Sequence, residues 1–318
     1  MTLSWLLILL GMFLLYLGAE LLVRSAVQIA LHFKVPKLVI GLTVVAFATS
    51  TPEALVSIFS QLKGAAGDIA LGNVLGSNIA NVGLVLGVYL MIRPCDVTHG
   101  MKWQKMPILF VVYLLLFLVM VGGKISRIEG IYLFLVLIFY NIFQYFFPPK
   151  KVELEEELKV HDEVKRPPVK ITLPIFAAIG SAVLLILGTQ ALLDGALKVA
   201  EHFQISERVI AISVIAFGTS LPELATALVA AFRKEQEILV GTVVGSNIFN
   251  PLLIIPFATM INPIYFSQKM LLIDFPLMVA FTVLLWVLMV LGNNRLSRID
   301  GSILLLSYVS YVTFLFFS

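Results

Sequence analysis

The sequence predicts an all-α polytopic membrane protein whose ten transmembrane helices form two inverted repeats of five. Three observations carry that expectation. Hydrophobic residues make up 60% of the 318 and charged residues only 13%, with a mean hydropathy of +1.01, whereas a soluble domain carries about 25% charged residues. Apolar runs of about twenty residues, enough to cross a bilayer core of about 30 Å, recur along the chain. Finally, the second half repeats the first at offsets of 169 to 171 residues.

The expected helices lie near 3–31, 38–61, 68–92, 106–122, 128–147, 171–199, 208–231, 237–260, 271–291 and 299–317. The first opens on "MTLSWLLILLGMFLLYLG", which lacks a basic leader and is too long an apolar run for a signal peptide, so it reads as a retained span. The second holds "AFATSTPEAL" (46–55), a hydroxyl run, a proline and a glutamate in the middle of an apolar segment. The third holds "GNVLGSNIAN" (72–81), and the fourth and fifth are almost wholly apolar. A charged insert, 148–170, with six acids, six Lys/Arg and prolines at both ends, reads as a solvated linker. It divides the chain into a first repeat, 1–147, and a second, 171–318.

The copies match segment by segment. "LGAELLVRSAVQIALHF" (17–33) answers to "LGTQALLDGALKVAEHF" (187–203), and "VIGLTVVAFATSTPE" (39–53) to "VIAISVIAFGTSLPE" (209–223). "GNVLGSNIAN" answers to "GTVVGSNIFN" (241–250), and "ISRIEG" (125–130) to "LSRIDG" (296–301). Five spans per copy is an odd number, so the second copy enters the membrane upside down. With the linker placed in the cytoplasm, sixteen Lys/Arg fall on that side and six on the other, namely Lys63, Lys124, Arg127, Lys198, Arg208 and Lys269. This positive-inside bias puts both termini outside, and it accounts for the net charge of +3 without a nucleic-acid partner. The lone cysteine, Cys95, excludes an intrachain disulfide and reads as a packing residue near a helix end. Inverted repeats around a midplane site are an architecture of secondary transporters.

Glu53 and Glu223 mark that site. A carboxylate at mid-bilayer costs at least ~2.5 kcal/mol on insertion scales and usually faces a functional centre. Each follows a proline, Pro52 and Pro222, which removes a helical hydrogen bond and should free carbonyls near Ala46–Ser50 and Ala216–Ser220. The hydroxyls of Thr49, Ser50, Thr219 and Ser220 lie one turn before the glutamates. In the third and eighth spans, Ser77 and Asn81, and Ser246 and Asn250, share helix faces, with Asn78 and Asn247 beside them. Gly72, Gly76, Gly241 and Gly245 permit close helix approach. These are hard oxygen donors suited to Ca²⁺ or Na⁺, without the His or Cys that would point to zinc or copper.

At these residues the chain resembles the alpha repeats of the calcium/cation antiporter superfamily, closest to its sodium/calcium exchanger branch. The motifs span 39–87 and 209–256, and the likeness extends over all ten helices. The resemblance implies a secondary antiporter, not an enzyme, exchanging Ca²⁺ for Na⁺ by alternating access in the cell membrane. Its partners are then the two ions and the bilayer, the protein acts as a monomer, and no resident cofactor is expected. It further implies that Glu53 and Glu223 bind Ca²⁺ and Na⁺ competitively. Thr49 and Thr219 resemble the carbonyl donors to Ca²⁺, and Ala46, Ser50, Ser77, Ala216, Ser220 and Ser246 the Na⁺ ligands. Asn81 and Asn250 fall at the centre.

The first copy departs from the common "GTSLPE" with Ala48 and Thr51, and the extra hydroxyl is expected to bond its own helix. Asn250 stands where potassium-dependent relatives resemble one another in having aspartate, which argues against K⁺ dependence. Pro251 and Pro256 are expected to break the eighth helix. Glu20–Arg24 and Asp194–Lys198 read as i, i+4 ion pairs with a gating role on the family reading, and Lys102 and Lys105 as marks of the interface beside Trp103. The alternative within the same fold is a proton/calcium antiporter, against which "GNVLGSNIAN" offers Gly72 and Asn73 but no acid. An intramembrane enzyme lacks a base at depth, because His32, His99, His161 and His202 lie at helix ends or in loops. An open channel fits poorly with deep duplicated acids.

Overall fold

The computed structural model describes residues 2–33, 35–62, 67–146, 171–202, 216–292 and 294–317. The linker at 148–170 and the start of the seventh span lie outside them. In order, the helices are α1 (Thr2–Phe33), α2 (Lys37–Thr49), α3 (Thr51–Leu62), α4 (Gly67–Ile92), α5 (Met101–Met120) and α6 (Arg127–Phe146). The second half follows with α7 (Thr172–His202), α8 (Ala216–Thr219), α9 (Leu221–Arg233), α10 (Gln236–Ile261), α11 (Met270–Leu291) and α12 (Arg298–Phe317). Helix ends agree with the expected spans to within a few residues. The exception is the fourth, which starts five residues early at Met101.

The central stretch of α10 is wholly buried and that of α4 largely so, whereas α1, α6 and α7 expose apolar side chains such as Leu9, Phe13, Phe139 and Phe176. α4 and α10 therefore form the heart of the molecule, and the exposed apolar surface is what a bilayer covers. Small residues bring backbones together at this heart. A Cβ on Gly241 of α10 would stand 2.6 Å from the Leu38 carbonyl oxygen and 3.0 Å from the Gly41 Cα, both on α2. One on Gly245 would stand 2.7 Å from the Leu42 carbonyl oxygen. α1 and α7 cross through glycine in the same way, since a Cβ on Gly188 would meet the Leu15 nitrogen at 2.8 Å.

Four two-residue strands, not expected from the sequence, lock the halves together. β1 (Cys95–Asp96) pairs antiparallel with β4 (Arg295–Leu296), and β2 (Lys124–Ile125) with β3 (Ile264–Tyr265). β1 and β3 occupy equivalent places in the two copies, each just after the long central helix. Because α5 spans the distance between β1 and β2, the two pairs sit at opposite ends of the molecule. Equivalent segments at opposite ends are the inversion the odd span count required. Cys95 is thus a buried strand residue at one end.

The last helix of each copy starts from a capping box, which explains "ISRIEG" and "LSRIDG". The Ser126 N–H donates to the Glu129 carboxylate at 2.7 Å while the Glu129 N–H donates to the Ser126 hydroxyl at 3.3 Å. Ser297 and Asp300 repeat this at 2.6 and 3.4 Å, satisfying donors that a helix start leaves without partners. The arginine between them then reaches across. Arg127 donates to the Ile261 carbonyl at the end of α10 at 2.9 Å, and Arg298 to the Ile92 carbonyl at the end of α4 at 3.4 Å.

One expectation fails. α10 is not broken at Pro251 and Pro256 but runs through a π-helical turn, Asn250–Ile254. α4 has the same turn at Asn81–Leu86, with Val82 and Gly87 in place of the prolines. A π turn already interrupts the α pattern of hydrogen bonds, so a proline ring and its missing N–H fit there without severing the helix.

Replacing Gly241 by valine should force α2 and α10 apart. We expect the melting temperature in detergent to fall by about 5 °C or more. Gly122→Ala, whose added Cβ would find its nearest neighbour 3.9 Å away, should leave it unchanged. Thermal unfolding of the two variants beside the parent checks this.

Candidate functional site

The second span is two helices. α2 and α3 meet at an angle of 41° at Ser50, whose ψ of 2° leaves the helical region. Ser220 makes the matching break between α8 and α9 with a ψ of 7°. Pro52 and Pro222 follow, at positions where a helix start tolerates proline. Neither can donate to the carbonyl a turn earlier, that of Ala48 or Gly218. The loosening is narrower than the sequence suggested. The Ala46 carbonyl accepts the Ser50 N–H at 3.0 Å and the Thr49 hydroxyl at 3.3 Å. The Ser50 and Ser220 carbonyls accept from Ala54 and Leu224 at 3.1 and 3.0 Å. Helix resumes after a single residue, so only the carbonyls facing the prolines lose their donor for certain. Ala216 opens α8.

Glu53 and Glu223 thereby land in the first turns of α3 and α9, where the helix dipole favours a carboxylate. They are 0% and 1% exposed and lie close enough to sense each other's charge. Thr49 and Ser50 lie beside the Glu223 carboxyl. α9 packs on the π turn of α4 that begins at Asn81, and α3 on the π turn of α10 that begins at Asn250. Each glutamate's helix therefore packs on the π turn of the other copy. Thr49 also meets Ser246 across the copies, hydroxyl to hydroxyl at 3.4 Å. Ser77, Thr219 and Ser246 are buried as well.

What sets this region apart is unmet hydrogen-bonding capacity. Both oxygens of Glu53 and of Glu223, the hydroxyls of Ser50, Ser220 and Thr226, and the Oδ1 atoms of Asn81 and Asn250 are buried without a hydrogen bond of good geometry to the protein. Leaving one buried polar group unmatched costs about 1–3 kcal/mol, more when it is charged. A fold does not gather nine such oxygens unless something else satisfies them, and a dehydrated cation would. Asn78 and Asn247, by contrast, donate to backbone carbonyls across the copies.

The sequence reading missed Thr226. It lies one turn after Glu223 on α9, and the i, i+3 spacing would have found it; its counterpart in the first copy is Val56. Asn73 also acts here, donating to the Glu53 carbonyl at 2.9 Å and to the Ser57 hydroxyl at 3.0 Å, and so bracing α3. The extra hydroxyl of Thr51 bonds its own helix, at 2.9 Å to the Phe47 carbonyl, as expected.

The outlying charges part from expectation. Arg24 does pair with Glu20, at 2.6 Å, but the Glu20 carboxylate is also clasped by both arms of Arg233 from the end of α9. Lys37 pairs with Glu235 nearby at 2.9 Å. Among the described residues, Asp194 and Lys198 are both exposed and form no ion pair within 4 Å. Lys102 and Lys105 do not simply mark an interface. Both are buried, Lys102 donating to the Asn294 amide oxygen at 2.6 Å and Lys105 to that of Gln144.

The family and the fold are shared with known proteins. The family model described as "Sodium/calcium exchanger protein" matches residues 3–146 and 173–317. The inner membrane protein YrbG of Escherichia coli is 32% identical, over 83% of this chain and 81% of its own length. The sodium/calcium exchanger MaX1 of Methanosarcina acetivorans is 29% identical over 99% of each chain. Among solved structures, the sodium-calcium exchanger NCX_Mj soaked with zero Na⁺ and Ca²⁺ superposes with a TM-score of 0.81 at 27% identity, covering 99% of both chains.

Proposed function

This chain belongs to the sodium/calcium exchanger protein family, and from that premise we propose that it is a secondary antiporter exchanging Ca²⁺ for Na⁺ around Glu53 and Glu223. The observation that carries this is the set of nine buried oxygens without protein partners, two carboxylates among them, where the copies cross. The charge of about −2 matches one Ca²⁺, which takes six to eight oxygens. Two or three Na⁺ could replace it, using the same carboxylates with the hydroxyls of Thr49, Ser50, Ser77, Thr219, Ser220 and Ser246 and the amide oxygens of Asn81 and Asn250. Carbonyls of the broken segments would complete the shell. Both cargoes need Glu53 and Glu223, so they exclude each other, and that competition is the coupling.

On this reading the monomer sits in the cell membrane with both termini outside and the 148–170 linker in the cytoplasm. α1 and α7 rock across the remaining helices so that either face opens onto one site. Coupling to protons is the second reading. It keeps the site and changes the counter-ion, and what favours it is that glutamates can carry protons.

Glu20 gives the motion a handle. It sits on α1, and its grip on Arg233 of α9 closes the end of the molecule assigned here to the cytoplasm. The equivalents in the second copy are Gln190 and Lys63, which cannot form an ion pair. The site is then held shut more firmly toward the cytoplasm than toward the outside.

Proteoliposomes loaded with Na⁺ and diluted into Na⁺-free buffer should accumulate Ca²⁺, with a pH gradient alone giving none. Glu53→Gln and Glu223→Gln should each abolish uptake while remaining folded by size-exclusion chromatography. Full exchange in either variant would exclude the glutamates as shared ligands. Uptake driven only by the pH gradient would establish the proton-coupled reading.

Asn250→Asp should remain active but lose rate as the pH falls, since protonation turns an oxygen facing the ion into an O–H donor; a pH series of uptake checks it. Glu20→Gln should lower the half-saturating cytoplasmic Ca²⁺ concentration by about fivefold, because releasing a closed state enlarges the competent fraction. Uptake into inside-out vesicles measures that shift.

A further inference from the structure

α4 and α10 cross at their GSN motifs, and the four asparagines there are bonded in a fixed order. The Asn78 side-chain NH₂ donates to the Asn247 backbone carbonyl at 3.0 Å and to the Tyr113 hydroxyl at 3.3 Å. The Asn247 NH₂ donates to the Asn78 backbone carbonyl at 3.2 Å. A backbone carbonyl only accepts, so these bonds decide which end of each amide is nitrogen. The Oδ1 of Asn78 must then accept, and it does, from the Asn250 NH₂ at 2.9 Å. The Oδ1 of Asn247 accepts from the Asn81 NH₂ at 3.0 Å. The nitrogens of Asn81 and Asn250 are thereby tied back toward the crossing, and their oxygens are the two asparagine atoms at the crossing left buried without partners.

We propose that Asn78 and Asn247 are positioning residues that set the amide orientation of Asn250 and Asn81, so that oxygen and not NH₂ faces the ion. This deepens the exchange reading and rests on it only in taking the ion to be a cation. An amide turned the other way would present a donor to that cation, which repels it. Two backbone carbonyls, the one part of each helix that no side-chain change can alter, are the origin of the order. The arrangement is reciprocal, so a single crossing orients one ligand for each half of the site.

The test exploits the symmetry of a carboxylate, which offers an oxygen whichever way it turns and needs no orienting partner. Binding is read at pH 8 on detergent-solubilised full-length protein, as the Ca²⁺ or Na⁺ concentration that half-maximally raises the melting temperature, so no transport is required. Asn78→Leu should weaken Ca²⁺ binding by about tenfold, the worth of one well-placed charge-facing bond. Asn78→Leu with Asn250→Asp should bind within about threefold of Asn250→Asp alone. Asn78→Asp, which keeps the acceptor for Asn250, loses the bond to the Asn247 carbonyl and leaves the Tyr113 hydroxyl to donate in place of accepting, should not lose affinity. Asn247→Leu with Asn81→Asp repeats the logic in the other half, should the first pair fold poorly.

A merely structural role predicts otherwise. Asn78→Asp would then be as damaged as Asn78→Leu, and the aspartate at 250 would restore nothing. Either result overturns the proposal, as does unchanged binding in Asn78→Leu. A parent that binds Ca²⁺ and shows the rescue but exchanges no Na⁺ retires the exchange reading and upholds the orientation. A parent stabilised by neither ion overturns both.

Discussion

Two carboxylates buried without protein partners are the constraint on which this molecule turns. A buried charge is tolerated only when paired or coordinated, and among the described residues no lysine or arginine lies within ion-pair distance of Glu53 or Glu223. The surroundings supply oxygen and withhold positive charge. Serine breaks the helix before each glutamate, proline keeps it broken, and the carboxylates are set in first turns where backbone dipoles favour their charge. A basic neighbour would have satisfied the fold and closed the site to a cation.

Neither copy completes this environment alone. Glu53's helix rests on the π turn that begins at Asn250 and Glu223's on the one that begins at Asn81, so each acid's helix exchanges contacts with the opposite repeat. The close contact of α2 with α10 through Gly41, Gly241 and Gly245 makes that exchange possible. The paired strands at both ends, and Arg127 and Arg298 reaching the ends of α10 and α4, fix the register of one copy on the other. Interlocking of this kind means that mutations at the rim and at the centre act on one shared framework.

Much of this was legible in the sequence because it is written in polar residues inside apolar runs. Glu53, Glu223 and the GSN motifs have no reason to lie at membrane depth other than a site, and duplication showed that they belong together. What escaped notice lies in pairings. The strands are two residues long, too short for a period to register, and exist only because the copies meet. Asn78 and Asn247 looked like further ligand candidates, since nothing in a sequence tells an amide that faces an ion from one that faces a carbonyl. The expected break at Pro251 failed for a related reason: proline breaks an α-helix, but whether a turn is α or π is decided by what packs on it.

The likeness of the copies is strongest at the centre and fades outward, and the gradient has a physical reading. Ser50 and Ser220, Glu53 and Glu223, Asn78 and Asn247, and Asn81 and Asn250 are identical pairs. One turn away the match loosens, with Val56 opposite Thr226 and Asn73 opposite Thr242, whose hydroxyl bonds its own helix at 2.7 Å. Farther out it is uneven: the capping boxes at Ser126 and Ser297 repeat, but Glu20 and Arg233 stand opposite Gln190 and Lys63. A site served from two faces gains from being the same seen from either, because a ligand shell that differed would hold the ion in one state and release it in the other. No such demand acts on the ends, where unequal ion pairs can bias which face is shut without changing what the ion meets. Symmetry at the centre and asymmetry at the rim are thus two halves of one requirement: a single site approached from two sides that are not equivalent.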